Sequence, residues 1–400
     1  RIAQQASAKL RAYGLVYLSM EVRTGKTLTA LETANLSGSS NVLFITKKKA
    51  ITSIEHDYKL FDFKFNLTVI NNESLHLIEG DFDLIISDEH HRNGAFPKPN
   101  KVTKLIRDRY KKKPFIFLSG TPTPETYSQI FHQFWVSDRS PFSKYVNFYQ
   151  WAKVFVNVTE RHLGYAVVKD YSGAKTELIK QEIDKYMISY TQSQAGFESK
   201  IEERFINVKM SQQTYDLAKR LEKDRVIEGK EDAILAETAV KLMQKLHQIY
   251  SGTCILESGK GLILDLSKAI AINDSFFSKK IAIFYKFKQE YEALKQVFQD
   301  DLTNDIDEFN ATSKNIALQI VSGREGISLR NAEYIVFYNI DFSAVSYWQA
   351  RDRMTTMDRQ NNIVFWCFSI GGIEEKIYNA VMGKKDYTLS HFRKDFDVRK

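Results

Sequence analysis

Five short apolar runs, each closing on a polar or turn-forming residue, constrain the first third of this chain more than any other feature. They are GLVYLSM (14–20), NVLFIT (41–46), LTVI (67–70), FDLIISD (82–88) and FIFLSG (115–120). Runs of this length with little polar alternation read as strands buried on both faces. Stretches with helical periodicity lie between them, among them TLTALETANLS (27–37) and KVTKLIRDRYKKK (101–113). Strand–helix–strand alternation implies parallel strands, because each helix carries the chain back to the same end of the sheet. The pattern predicts an α/β lobe over 1–138. It returns over 261–400, in KIAIFY (280–285), NIALQIVS (315–322), YIVFYN (334–339) and IVFWCFS (363–369). Residues 139–260 differ: an aromatic-rich stretch, FSKYVNFYQWAKVF, precedes the charged segments QQTYDLAKRLEKDRV and AILAETAVKLMQKLHQIY. They predict a mainly helical insertion. The expected fold class is α/β, two parallel-sheet lobes with that insertion between them.

Composition narrows the setting. No apolar run reaches the roughly 18–20 residues of a membrane span, so no membrane partner is expected. The opening RIAQQASAKLRAYG lacks the apolar stretch of a secretory signal, and its first residue, Arg1, reads as other than a native start. The two cysteines, Cys254 and Cys367, are far apart and form no CxxC pair. A disulfide framework or structural zinc site is therefore not expected, and a reducing, cytoplasmic location is. The net charge of +8 permits a polyanionic partner. The basic runs Lys47–Lys49 and Lys111–Lys113 could equally be solvated faces.

Three strand ends carry residues suited to phosphate chemistry. MEVRTGKT (Met20–Thr27) follows an apolar run and opens a helical one. That is the context in which backbone N–H groups and a helix dipole meet phosphate oxygens. Arg23, Thr24 and Gly25 would form the loop, Lys26 would reach the β- and γ-phosphates, and the Thr27 hydroxyl would ligate Mg²⁺. A fortuitous GKT at a helix start is the alternative. FDLIISDEHHR (82–92) ends a strand in Asp88, Glu89, His90 and His91. Adjacent carboxylates at a strand's carboxyl end could hold Mg²⁺ (Asp88) and activate water (Glu89). A solvated acidic turn, or a metal site using the histidines, would use the same residues. SGTPTP (119–124) also ends a strand; its Ser119 and Thr121 could bond the acidic motif, or the segment could be an ordinary turn.

Taken in this order, MEVRTGKT, DEHH and SGTP resemble motifs I, II (in DExH form) and III of the superfamily-two helicases and translocases. KIAIFYKF (280–287), VSGREGISL (321–329) and YWQARDRMTTMDRQ (347–360) resemble motifs IV, V and VI. The resemblance spans essentially the whole chain. FITKKKAITSIEHD (44–57), INNESL (70–75), KLHQIYSG (245–252), GGIEEKIYNAVMGKK (371–385) and the long separation of the third and fourth motifs look like the Swi/Snf-like branch, particularly its small phage-type members. Met20 and Arg23 stand where the family has glycines. In the sixth motif Gln349 and Arg353 fit, but Thr356 occupies the second arginine position, with Arg351 and Arg359 nearby.

The resemblance implies two RecA-like lobes hydrolysing ATP with Mg²⁺ in a cleft between them. Lys26, Asp88, Glu89, Gln349 and Arg353 would be catalytic, and Gly323 and Gly326 would border the nucleotide. His91, Ser119 and Thr121 would couple the site to the rest of the motor. An adenine-reading Gln would be Gln4, Gln5 or a residue upstream of Arg1. Thr46, Lys47, Asn72 and Ser322 would contact nucleic-acid phosphates, without base readout. The implied function is ATP-driven tracking along DNA, duplex rather than single-stranded, by a cytoplasmic protein, in the host cell if phage-encoded. A monomer is compatible with it. The alternatives are a strand-separating DNA or RNA helicase and an ATP-switched DNA clamp with little turnover.

Overall fold

All five expected strands of the first block join one six-stranded parallel sheet in the computed structural model of the chain. The structure describes residues 1–124, 126–163, 166–196, 200–228, 232–320, 329–343, 346, 350 and 361–383. The chain divides into two units, Arg1–Phe197 and Glu198–Lys400.

The first unit runs α1 (Ile2–Tyr13), β1 (Leu15–Met20), α2 (Lys26–Ser37), β2 (Asn41–Thr46), α3 (Ile51–Lys59), β3 (Asn66–Asn71), β4 (Leu84–Ser87), α4 (Lys101–Tyr110), β5 (Phe115–Ser119), α5 (Ile130–Trp135), α6 (Phe148–Phe155), β6 (Thr159–Leu163), β7 (Ala166–Asp170), α7 (Thr176–Ile183) and β8 (Met187–Tyr190). The sheet order is β3-β2-β4-β5-β1-β8, and β6 and β7 form a separate antiparallel pair. Alternate residues of each central strand enter opposite cores. Leu15, Tyr17, Leu43, Ile45, Ile85, Phe115 and Phe117 pack with residues of α4, α5 and α6. Val16, Leu18, Val42, Phe44, Leu84, Ile86, Ile116 and Leu118 pack with residues of α1, α2 and α3. With both faces covered, strand interiors have no room for polar chemistry, which moves to the strand ends.

The second unit runs β9 (Lys200–Val208), α8 (Gln212–Asp224), β10 (Val226–Glu228), β11 (Ala233–Leu235), α9 (Ala239–Tyr250), β12 (Thr253–Ile255), β13 (Gly261–Ile263), α10 (Ser267–Ser275), β14 (Ile281–Tyr285), α11 (Lys288–Phe298), β15 (Leu302–Thr303), α12 (Ile306–Ala311), β16 (Asn315–Gln319), β17 (Tyr334–Phe337), β18 (Asn361–Ser369) and a last described helix, Glu374–Met382. Its six-stranded sheet, β15-β16-β14-β17-β18-β9, is also parallel throughout. Trp366 stacks on Phe337 at 4.0 Å between ring centroids on one face. Cys367 and Tyr338 enter the core on the other.

The segment 139–260, expected as a mainly helical insertion, is divided between the units. Its β8 extends the first sheet beside β1, and its β9 extends the second beside β18. The segment also carries β6, β7, β10, β11 and β12. Helical periodicity held over α8 and α9, but the stretch expected to be helical from Ala233 opens with β11. The periodicity could not reveal β8, which is four residues of mixed exposure.

One buried ion pair fastens the second unit. Lys268 Nζ lies 2.6 Å from Glu374 Oε1, both side chains being wholly inaccessible, and also donates to the Tyr338 carbonyl at 3.2 Å. Removing one partner of such a pair strands the other charge. Lys268→Ala is therefore expected to destabilise the second unit by about 3–5 kcal/mol, while the double change Lys268→Met with Glu374→Leu recovers most of the loss. Urea unfolding followed by circular dichroism measures both.

Candidate active site

The residues singled out in the first unit gather where β1, β5 and β4 end. Because β5 lies between β1 and β4, the segments leaving the two outer strands face each other across the tip of β5. β1 delivers Glu21–Gly25 and then α2, whose N-cap Gly25 has φ 82°, a left-handed conformation in which glycine carries no Cβ penalty. Arg23 also holds a left-handed φ, 65°. The backbone thus adopts at Arg23 the geometry for which glycine is the favoured residue, at a cost of roughly 1–2 kcal/mol.

Lys26 begins α2, and its side chain turns back into the loop. Nζ donates to the Met20 carbonyl at 2.8 Å and to the Glu21 carbonyl at 3.3 Å. A Cβ placed on Gly120, just beyond β5, would sit 3.5 Å from that Nζ. Thr24 Oγ1 donates to the same Glu21 carbonyl at 2.8 Å. Thr27 follows in the first turn of α2.

At the end of β4, Asp88 accepts the Thr46 hydroxyl on Oδ2 at 2.8 Å and the Glu89 N–H on Oδ1 at 2.9 Å. Its carboxyl is pushed up to about 6, first by burial and then by the neighbouring Glu89 charge. The Thr46 bond and the Lys26 charge oppose that rise. Lys26 and Asp88 therefore feel each other electrostatically. Glu89 takes a left-handed φ of 45°. Its Oε2 lies 3.3 Å from His91 Nδ1, and that nitrogen is 2.9 Å from Ser119 Oγ. Ser119 Oγ also accepts the Thr121 N–H at 3.1 Å. A polar chain thus links Glu89, His91, Ser119 and Thr121.

His90 has a different part. It is buried, stacked on Phe117 with centroids 3.6 Å apart, and bonded through Nε2 to the Gln133 carbonyl at 2.8 Å. Since a carbonyl only accepts, Nε2 carries the proton and Nδ1 accepts, from the Ser87 hydroxyl at 2.8 Å and Asn93 Nδ2 at 3.1 Å. Burial pulls the imidazole down to about 3, so it stays neutral. It anchors the acidic segment to the core.

Among the expected nucleic-acid contacts, Thr46 is buried with its hydroxyl committed to Asp88; the structure puts it in the acidic site instead of on the surface. Asn72 Nδ2 donates to the Thr46 carbonyl at 2.9 Å. Lys47 lies near Glu73, whose carboxyl is held below its usual range mainly by the Asn71 amide, with smaller help from Arg92 and Lys47. Ser322, Gly323, Gly326, Gln349, Arg351, Arg353, Thr356 and Arg359 lie outside the described residues.

A cavity of about 770 Å³ adjoins the loop. Arg1 and, from α1, Ile2, Ala3 and Gln5 line it, with Leu28, Thr29 and Glu32 from α2, and Tyr190 and Gln194 from β8 and its following turn. Of the two candidate glutamines, Gln5 lines it. The contributions of Tyr190 and Gln194 were not readable from sequence, because β8 itself was not. Among the described residues no group of three or more His, Cys, Asp or Glu could hold a metal ion. The oxygen donors present, Asp88 and Thr27, suit Mg²⁺, which commonly takes one or two protein oxygens and completes its shell with phosphates and water. No described helix is long and apolar enough to cross a membrane.

No family model and no curated protein matches this sequence. Among solved structures the chain is similar to the Sulfolobus solfataricus SWI2/SNF2 ATPase core in complex with dsDNA. The identity is 14%, the TM-score is 0.41, and the match covers 100% of this chain and 93% of that one.

The raised Asp88 carboxyl carries a sign. The folded state favours its protonated form, a contribution present below the ordinary value of 3.8 and lost as pH rises through about 6. Above that pH, ionised Asp88 weakens the first unit. Asp88→Asn is expected to raise the urea midpoint at pH 7 and to flatten its pH dependence between 3.8 and 6, in titrations without nucleotide or metal.

Proposed function

We propose that the first unit binds ATP with Mg²⁺ and hydrolyses it, and that the chain is a nucleic-acid-stimulated ATPase that tracks along duplex DNA. One observation carries the reading: a lysine at a helix start and an adjacent Asp-Glu pair converge at the carboxyl ends of β1 and β4, across the tip of β5. A core strand arrangement needs no such convergence, and Asp88 is ionised there against the preference of its surroundings.

In this reading the triphosphate lies at the start of α2, and the base enters the cavity lined by Gln5 and Tyr190. Backbone N–H groups of Gly25 to Thr27 face the phosphates. Lys26 exchanges its bonds to the Met20 and Glu21 carbonyls for phosphate oxygens, trading neutral acceptors for charged ones. Asp88 and Thr27 would hold Mg²⁺, which when bound neutralises charge on the β- and γ-oxygens. Glu89 accepts a proton from the attacking water, its carboxylate held by His91. His91, Ser119 and Thr121 pass the state of that carboxylate to the end of β5. Gln349 and Arg353 keep the charge-stabilising role on the γ-phosphate that the sequence resemblance implies.

The preference for nucleic acid rests on the net charge of +8 and on that resemblance. Lys47, Asn72 and Ser322 are the proposed phosphate contacts. Thr46 acts from beneath, joining the Asn72 segment to Asp88 through its carbonyl and hydroxyl.

Lys26→Ala and Glu89→Gln are each expected to lower ATP turnover by at least roughly a hundredfold while leaving duplex DNA binding nearly unchanged. Undiminished turnover in either would overturn the assignment. ATPase rates of the parent with duplex DNA, single-stranded DNA and RNA test the substrate. Stimulation by duplex alone is expected. Stimulation by single strands alone would select the strand-separating alternative, and turnover that stays negligible with every nucleic acid would select the clamp.

A further inference from the structure

The turn that follows β8 is bonded directly to the phosphate loop. The Glu21 N–H donates to the Tyr190 carbonyl at 3.0 Å, which prolongs the β1–β8 pairing into the loop's first residue. The Gln192 N–H donates to the Glu21 carboxylate at 2.6 Å, and Gln192 Nε2 donates to the Val22 carbonyl at 3.0 Å. The Glu21 carbonyl in turn accepts from Thr24 Oγ1 and Lys26 Nζ. Gln192 is thus separated from the Lys26 ammonium by a single loop residue. The turn is itself stiffened: the Thr191 N–H donates to Gln194 Oε1 at 2.9 Å, and the Tyr190 hydroxyl donates to the Gln194 carbonyl at 3.0 Å. Tyr190 and Gln194 also line the cavity beside α2.

Gln192 is half-buried and belongs to none of the apolar cores. Its amide instead fills a specific need. The loop must present its N–H groups to an anion, so its carbonyls have to point elsewhere and find donors. The Met20 carbonyl uses Lys26, a donor that phosphate would withdraw, while the Glu21 carbonyl uses both Lys26 and Thr24. The Val22 carbonyl uses Gln192, a donor that phosphate leaves in place.

We propose that Gln192 is a positioning residue for the phosphate loop, holding Glu21 and Val22 so that Lys26 and the start of α2 meet the phosphates. The inference rests on the nucleotide reading above. It makes the segment that leads the chain into the second unit, which begins at Glu198, part of the nucleotide site.

The test uses the full chain and four forms: parent, Gln192→Ala, Gln192→Glu and Lys26→Ala. Gln192→Glu keeps the size of the side chain and the backbone N–H but removes the side-chain amide that donates to the Val22 carbonyl. Equilibrium binding of a fluorescent ATP analogue with Mg²⁺, steady-state turnover and the thermal midpoint without nucleotide are measured on each. Both Gln192 variants are expected to bind the analogue about tenfold more weakly. KM should rise by a similar factor with kcat within about twofold of the parent, since the side chain acts on ground-state binding through the loop. The thermal midpoint should stay close to the parent's. Unchanged affinity in both Gln192 variants, with weakened binding in Lys26→Ala, would overturn the inference and leave the nucleotide site standing. A lowered midpoint with unchanged affinity would assign Gln192 to folding alone and also overturn it. Unchanged affinity in Lys26→Ala would overturn the nucleotide site and this inference with it.

Discussion

The Lys26 ammonium, folded onto the Met20 and Glu21 carbonyls within the field of Asp88, is the interaction on which the rest of the first unit turns. A cation at the start of a helix opposes the helix dipole, which favours anions there. The chain offsets that conflict with carbonyls at the end of β1 and with a carboxylate delivered by β4. β1 and β4 flank β5, so the two contributions meet across the tip of a single intervening strand, two spacings of about 4.8 Å. The strand order therefore brings the lysine and the carboxylate to one end of the sheet.

Burial explains why the polar residues sit where they do. Both faces of each sheet are sealed by helices, so a carboxylate in the middle of a strand would meet only apolar neighbours. At the carboxyl end of β4 the same carboxylate meets the Thr46 hydroxyl, the Glu89 N–H and the Lys26 charge, and still keeps a raised pKa. Left-handed backbone at the non-glycine residues Arg23 and Glu89 adds conformational strain at the same place. Strain and an ill-solvated charge are concentrated at one set of strand tips while the cores below are apolar, as the proposed nucleotide site requires.

Much of this was legible in the sequence because the signals were local. Apolar runs marked β1 to β5 and β14, β16, β17 and β18, and the polar residues closing those runs marked the site. Lys26, Asp88, Glu89, Ser119 and Thr121 stand out as candidates because they close or follow apolar runs, and His91 because the family resemblance implies a coupling role. What could not be read depended on contacts distant in sequence. β8 is short and only partly apolar; it is a strand because β1 offers it a free edge, and nothing within Met187–Tyr190 announces that. Gln192 and Tyr190 were hidden with it. Thr46 has a partner that its position in the sequence did not show. It was expected among the phosphate contacts, yet β2 lies beside β4, and its hydroxyl turns inward to Asp88. His90 and His91 are adjacent and chemically alike, but the 3₁₀ turn at His90–Asn93 sends one into the core and the other toward Ser119. Sequence proximity grouped them; backbone geometry separated them.

The most direct measurement is the structure of the full chain with Mg²⁺ and a non-hydrolysable ATP analogue. The account requires the triphosphate at the N-terminus of α2, with Lys26 Nζ released from the Met20 carbonyl and bonded to phosphate oxygen, and the metal beside Asp88. A nucleotide bound at another surface, with Lys26 still bonded to Met20 and Asp88 distant from any metal, would contradict it.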